Sequence, residues 1–431
     1  MIRVAHFSDL HYGGKSLVEA DRCLGAAIDR AIALGVDAAV VSGDATDHAL
    51  DLHAPAARSL ALQIRRLADR CPVLLLQGTF SHEPPGTLAL LRLLGGRFPV
   101  HVVERIEQVG LTADGGWVVS PNWRFAAPPT GCRALFTCVP SVNKAVVAAT
   151  VGAVDAPQAV GEHLAELLRG FAPVNDAARA MGMATLGVSH GTVFGCLSEH
   201  GVPMAGFDHE FTTGALFAAH AQAFLLGHIH RHQVWHRDGP DGRQTIAYAG
   251  SIGRFHFGEE GDKGFLLWKV EPDAAACRLE PTPARRTIDI TFEGRPDVQR
   301  MKDVLAAHQI SGASVRVRWT VGDEDRGAVD RAAIAALLAD AAEVKLEGRI
   351  VPVVRQRAAG VSRLASLVDK VRAWSTVAEV SPELMLNCLR VLESAEPEAI
   401  AESILRGESD LGVDGPSLPH RPTPLPLPLP T

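Results

Sequence analysis

Cysteine is sparse in this chain and never paired. Its seven residues stand apart without a CxxC spacing, and the odd count argues for a reducing compartment rather than a disulfide framework. No apolar run reaches the length that spans a bilayer. The opening Met1-Ile2-Arg3-Val4 enters a strand directly rather than a charged region followed by an apolar signal segment. A cytoplasmic protein with no membrane partner is therefore the expectation. Basic charge is not in excess either. A formal net charge of −7 argues against binding nucleic acid through the bulk field, although a groove can still be locally basic. Acidic metal ligands also inflate the negative count until dications bind. Internal repeats, a glycine loop that cradles phosphate, a Walker motif and a Ser/His/Asp arrangement are all missing, so any ATP dependence has to come from another subunit.

What the chain does have is a series of short clusters of metal-binding side chains. They run in the order Asp9-x-His11, Gly43-Asp44, Ser81-His82-Glu83, His190-Gly191 and Gly227-His228-x-His230. Apolar runs that read as buried strands precede them: Ile2 to Phe7, Ala38 to Val41, Val73 to Leu76, Ala184 to Val188 and Ala223 to Leu226. In an open α/β sheet the carboxyl ends of parallel strands face one crevice, so ligands far apart in sequence converge. The pairs Asp9/His11 and His228/His230 stand at i and i+2, which on an extended segment puts both side chains on one side.

Carboxylate mixed with imidazole suits first-row dications such as Mn²⁺, Fe²⁺ or Zn²⁺. An all-oxygen set would point to Mg²⁺ or Ca²⁺, and a thiolate set to structural zinc. Two dications roughly 3.5–4 Å apart can clamp the attacking and leaving oxygens of a phosphoryl centre if a carboxylate bridges them. Asp44 is the candidate bridge. Each imidazole also needs a partner that holds its metal-binding tautomer, and the sequence does not say which residue that is.

At these residues the chain resembles the calcineurin-like metallophosphoesterases, whose pattern is Asp-x-His, Gly-Asp, Gly-Asn-His-Asp/Glu, His and Gly-His-x-His. Within them it is similar to the SbcD nuclease subunits, through Phe7-Ser8-Asp9-Leu10-His11, Tyr248-Ala249-Gly250-Ser251, Arg254 to Glu259 and Lys263-Gly264-Phe265. The resemblance covers roughly residues 1–270. It implies that Asp9, His11 and His230 hold one metal, that Asp44 bridges, that His190 and His228 hold the second, and that His82 acts near the leaving group as a general acid or transition-state stabiliser. The third cluster departs from the pattern. It reads Gly78-Thr79-Phe80-Ser81-His82-Glu83, so Ser81 is expected where the family has its Asn ligand, with a looser second metal site. Lys15, Arg231, His232, Arg254 and His256 lie next to the motifs and are candidates for positioning phosphate.

Three parts organise the chain. Residues 1–275 alternate strands with helical stretches at Leu17 to Leu34, Pro55 to Asp69, Thr87 to Leu94 and Gln158 to Met181, an α/β layered pattern. With the resemblance, this predicts a layered metallophosphoesterase β-sandwich flanked by helices. Residues 286–355 read as a small α+β cap, and 361–407 as helical, with amphipathic stretches at Arg363 to Val377 and Pro382 to Ser394. The segment 408–431 is a Pro-rich tail expected to be disordered.

The expected activity is a two-metal phosphodiesterase acting as a DNA exo- or endonuclease of the SbcD type, in DNA repair or end processing. Mn²⁺ is the first choice of metal, with Fe²⁺, Mg²⁺ or Zn²⁺ as alternatives. DNA and a coiled-coil ATPase of the SbcC kind are the partners the resemblance implies, with a homodimer as a further expectation. A small-molecule phosphoesterase is one rival, since one fold hosts many substrates. A catalytically weakened subunit that only binds DNA or the ATPase is the other, motivated by the altered third cluster.

Overall fold

The structure is a computed structural model describing residues 1–94, 96–142, 156–204, 210–239, 242–259, 261–325, 327–351 and 360–394, with 396, 398 and 399. Residues 1–350 make one compact unit and the remainder a second.

The chain opens β1 (Ile2–Phe7), α1 (Leu17–Ala33), β2 (Ala38–Val41), α2 (Pro55–Ala68), β3 (Val73–Leu76) and β4 (Val100–Val103). It continues through β5 (Glu107–Thr112), β6 (Trp117–Val119), β7 (Cys132–Val139), α3 (Ala156–Ala180), β8 (Ala184–His190), α4 (Thr213–Phe217), β9 (Ala223–Gly227), β10 (Gln233–Gly239) and β11 (Gly242–Tyr248). Then β12 (Gly264–Val270) and β13 (Ala275–Pro281) return to the first strands. Two sheets result, ordered β13-β12-β1-β2-β3-β4 and β10-β11-β9-β8-β7-β5-β6. Strands β1 to β4 pair in parallel, as do β7, β8, β9 and β11.

Side-chain alternation explains the layering. Along β1 to β3, Ile2, Val4, Ala38, Val40, Leu74 and Leu76 share one core with Phe136, Leu186, Val188 and Leu225 of the second sheet. The intervening Ala5, Phe7, Ala39, Val41, Val73 and Leu75 pack on Leu24 and Ile28 of α1 and Leu60 and Ile64 of α2. Both faces are thus covered, which is why β2 and β3 are apolar at every position and β1 at all but Arg3 and His6. On the second sheet Phe224 and Leu226 face Leu164, Leu168 and Phe171 of α3. An added Cβ at Gly187 would lie 2.4 Å from the Phe224 ring, so a glycine is required there. Truncating a fully buried side chain such as Phe136 would cost about 3–5 kcal/mol.

The ligand-bearing strands therefore belong to two packed sheets rather than to one open sheet. The stretch Thr87 to Leu94 forms only a 3-10 turn at Ala89–Leu93. Pro84-Pro85-Gly86 before it and Gly95-Gly96 after it leave too few residues for a cooperative α-helix.

β14 (Thr287–Glu293), α5 (Val298–Leu305), β15 (Ser314–Gly322), α6 (Arg331–Leu337) and β16 (Glu343–Val351) follow as a three-stranded sheet ordered β14-β15-β16. This cap has its own core around Phe292, Met301, Val317, Trp319 and Ile334. The second unit contains α7 (Leu367–Ala378) and α8 (Glu383–Ser394); the Ser366 hydroxyl caps α7 by accepting from Asp369 N. The Pro-rich tail and positions 401–407 of the expected helical segment lie outside the described residues. Among the described residues no helix is long and apolar enough to cross a membrane.

Candidate metal centre

The loops after β1, β2, β3, β8 and β9 meet at one place. Asp9 N donates to Gly43 O, Leu10 N and His11 N to Asp44 O, and Tyr12 N to Ala45 O, so the first two loops are zipped together. Backbone conformation there is unusual. Asp9, His11, Asp44 and His228 have φ of 49°, 46°, 50° and 100°, four of the six non-glycine residues with positive φ among those described. Such left-handed positions cost an L-residue roughly 1–3 kcal/mol and persist where surrounding contacts over-determine them. This corrects the extended-segment expectation for Asp9-x-His11. The strand ends at Phe7, and two left-handed residues bring both side chains into one cavity.

Asp9, His11 and His230 present ligand atoms within 4.8 Å of one another, as do Asp44, His190 and His228, and also His11, Asp44 and His82. Asp44 thus belongs to two sets that adjoin. His11 Nε2 lies 2.9 Å from His230 Nε2, and His230 Nε2 4.0 Å from Asp9 Oδ1. On the other side His190 Nε2 is 3.3 Å from Asp44 Oδ2. Close approach of the loops depends on Gly78, where a Cβ would fall 2.3 Å from Asp44 N.

Protons are distributed unevenly over this cluster. Burial would raise Asp44, but His190, His82 and His11 pull its carboxyl well below the usual range. Burial alone would lower His190, yet the Asp44 carboxylate lifts it to about 10. His11 drops to about 4 through burial and the neighbouring His230, and His228 is lowered by burial and His190. His190 Nδ1 faces Ser42 O at 2.8 Å, so Nδ1 donates there, while Nε2 holds its proton toward Asp44 and is the nitrogen a cation would take once that proton leaves. Two carboxylates and four imidazoles, nearly all buried and with nitrogens aimed at one another, fit a pair of divalent cations of the Mn²⁺, Fe²⁺ or Zn²⁺ kind.

The third cluster is corrected in one residue. Thr79, not Ser81, reaches the centre: its amide donates to Asp44 Oδ1 at 2.7 Å, and its hydroxyl lies 3.2 Å from Asp44 Oδ2 and 3.2 Å from His190 Nε2. Ser81 is exposed, and no hydrogen bond joins it to either side chain among the described residues. The two extra residues form a helical turn, with His82 N and Glu83 N both donating to Thr79 O. That turn carries His82 back to the centre, where its Nδ1 is 3.1 Å from Asp44 Oδ2 without directed hydrogen-bond geometry, and its side chain stays 32% exposed. Asp44 holds the His82 imidazole above its ordinary value, against a smaller effect of burial. Thr79 directly follows Gly78, and that adjacency was the available signal.

Glu83 is fully buried and accepts from the backbone amides of Ala45, Thr46 and Gly78, locking the β3 loop onto the Asp44 loop. Burial and the charge of Asp44 push it up to about 7.

Beside the centre runs a groove of about 1270 Å³ between the sandwich and the cap. Six Lys and Arg (Lys15, Arg254, Arg285, Arg316, Arg318, Lys345) line it against four acids (Glu19, Glu199, Asp289, Glu343). Its Phe255-His256 wall packs on the ligands: the Phe255 ring is 5.4 Å from that of His11, and His256 stacks on His230 at 5.8 Å. Of the residues expected to position phosphate, Lys15, Arg254 and His256 line the groove, whereas Arg231 and His232 are half-buried and do not.

No family model and no curated protein matches the chain. Among solved structures it is similar to a dimetal phosphatase from Danio rerio, at 11% identity over 64% of this chain and 98% of that one, with a TM-score of 0.37. It is also similar to a 5'-nucleotidase precursor from Thermus thermophilus, at 16% identity and a TM-score of 0.31, covering 65% of this chain and 55% of that one. Likeness at this level says nothing about substrate.

Proposed function

We propose that this chain is a two-metal phosphodiesterase of the SbcD type, acting on DNA. The observation that supports it most is Asp44, whose carboxylate groups with His11 and His82 on one side and with His190 and His228 on the other, while His11 also groups with Asp9 and His230. Asp9, His11 and His230 would hold the first dication, and His190, His228 and the Thr79 hydroxyl the second, with Asp44 between them. Bound dications supply positive charge to the phosphoryl oxygens and activate water as the nucleophile. His82 is held above its ordinary pKa by Asp44 and its side chain is 32% exposed, so it can keep a proton for the leaving oxygen.

Groove size favours a polymer. Pockets for small ligands span roughly 300–1,000 Å³, and this one, at about 1270 Å³, exceeds that range and is lined by six Lys and Arg beside four acids. Such side chains position a phosphate backbone. Mn²⁺ is the proposed metal. Leu367, Val377 and Leu384 of the C-terminal helices are 58%, 55% and 56% exposed. That apolar exposure accords with the proposed coiled-coil ATPase partner. The cytoplasm is the proposed compartment.

A small-molecule phosphoesterase is the second reading, favoured by the net charge of −7 and by a hydroxyl where the resembled family has its Asn amide. The deciding experiment offers linear duplex DNA, bis-p-nitrophenyl phosphate and a phosphomonoester to the manganese-loaded protein. Duplex degradation is expected. Robust turnover of the small esters with intact DNA would select the second reading, and a manganese-loaded protein inert on all three would select a binding subunit.

A further inference from the structure

A buried ion pair next to the centre has no part in the chemistry so far. Glu259 and Lys263 have fully buried side chains, with Nζ 2.5 Å from Oε2. Desolvating two charges roughly cancels their attraction, so such a pair adds little stability by itself. Its other contacts converge on one ligand. Lys263 Nζ donates to His230 O at 2.7 Å and to Ser251 Oγ at 3.0 Å. Glu259 Oε1 accepts from Phe255 N and His256 N at 3.1 and 2.8 Å, and lies 3.6 Å from His230 Nδ1.

That Nδ1 is buried and makes no hydrogen bond, while Nε2 of the same ring faces His11 and Asp9. A histidine that offers Nε2 to a metal must carry its proton on Nδ1, and a carboxylate there fixes both tautomer and ring orientation. A third cation among His230, His256 and Glu259 is disfavoured, because the Lys263 ammonium already occupies the second Glu259 oxygen. We infer that Glu259, braced by Lys263, is the positioning residue for His230: it takes the Nδ1 hydrogen bond when Nε2 ligates, and ties that ligand to the Phe255-His256 wall of the groove. This rests on the two-metal reading above.

The test is Mn²⁺ titration of the full chain by calorimetry, with His190→Ala assigning the second site. Two variants are compared with wild type: Glu259→Gln, and the double change Glu259→Leu/Lys263→Met, which strands no buried charge. The expected result is a first-site affinity lowered roughly 10–100-fold in both variants, with second-site affinity and melting temperature retained. Unchanged first-site affinity in folded protein would overturn the assignment. So would an equal loss at both sites that follows a lowered melting temperature, since that marks a general packing role. If wild type itself binds no manganese, the two-metal reading falls and this inference with it, an outcome that the wild-type titration separates from the other two.

Discussion

The Thr79 hydroxyl stands 3.2 Å from His190 Nε2, on the side of Asp44 where Ser81 is the residue expected from the sequence. A hydroxyl is shorter and a weaker donor to a cation than an amide oxygen, and here it arrives on a loop lengthened by Phe80 and Ser81. The second metal should therefore be the more loosely held of the two.

Replacing Thr79 tests that ordering. Thr79→Val should weaken second-site Mn²⁺ binding by about tenfold, equivalent to about 1.4 kcal/mol, while Thr79→Asn should hold or tighten it. Ser81→Ala should leave both affinities unchanged. Calorimetric titration reads all three, and a Ser81→Ala effect as large as that of Thr79→Val would reverse the assignment.

His82 contacts Asp44 while its side chain stays 32% exposed. His82→Ala should lower turnover of duplex DNA by about 10²–10⁴-fold, the usual range for a lost general acid, with metal content by elemental analysis largely kept. Loss of metal in step with activity would make His82 a ligand instead.

The pH dependence follows from His190. With its folded value raised to about 10, protonated His190 stabilises the metal-free protein fully below the ordinary histidine value near 6.5, and that contribution is lost as pH rises through about 10. A metal has to displace this proton. Second-site affinity should thus rise about tenfold per pH unit between roughly pH 7 and 9. On the first side His11 is already lowered to about 4, and only His230, which burial would lower but Glu259 and Asp9 raise, has a proton to lose, so the rise there should level off at a lower pH. Titrations at three pH values discriminate: equal slopes at both sites would contradict the assignment.

Groove cations should matter for a polymer alone. Lys15→Ala with Arg285→Ala is expected to raise KM for duplex DNA several-fold and flatten its salt dependence, since fewer counterions are released. Hydrolysis of bis-p-nitrophenyl phosphate should be unaffected, and a matching loss there would place both residues at the centre.

Much of this architecture was legible in the chain. The runs before Asp9, Asp44, His190 and His228 are strands where periodicity put them, because a short apolar window carries its own preference. The turn at Thr79–His82 was not legible, because spacing alone cannot tell whether an insertion precedes or follows a ligand. Nor was Glu259: it meets His230 from a loop whose path depends on β12 returning to β1.

The residue types, their order and the strands that carry them are written into local stretches of this sequence, since hydrophobic alternation and ligand chemistry need only neighbouring positions. Which side chains gather around Asp44, which hydroxyl approaches His190 and which carboxylate faces His230 were decided by tertiary structure. Those contacts join residues brought together by the packing of two sheets, and left-handed backbone at Asp9, His11, Asp44 and His228 is tolerated once that packing holds it.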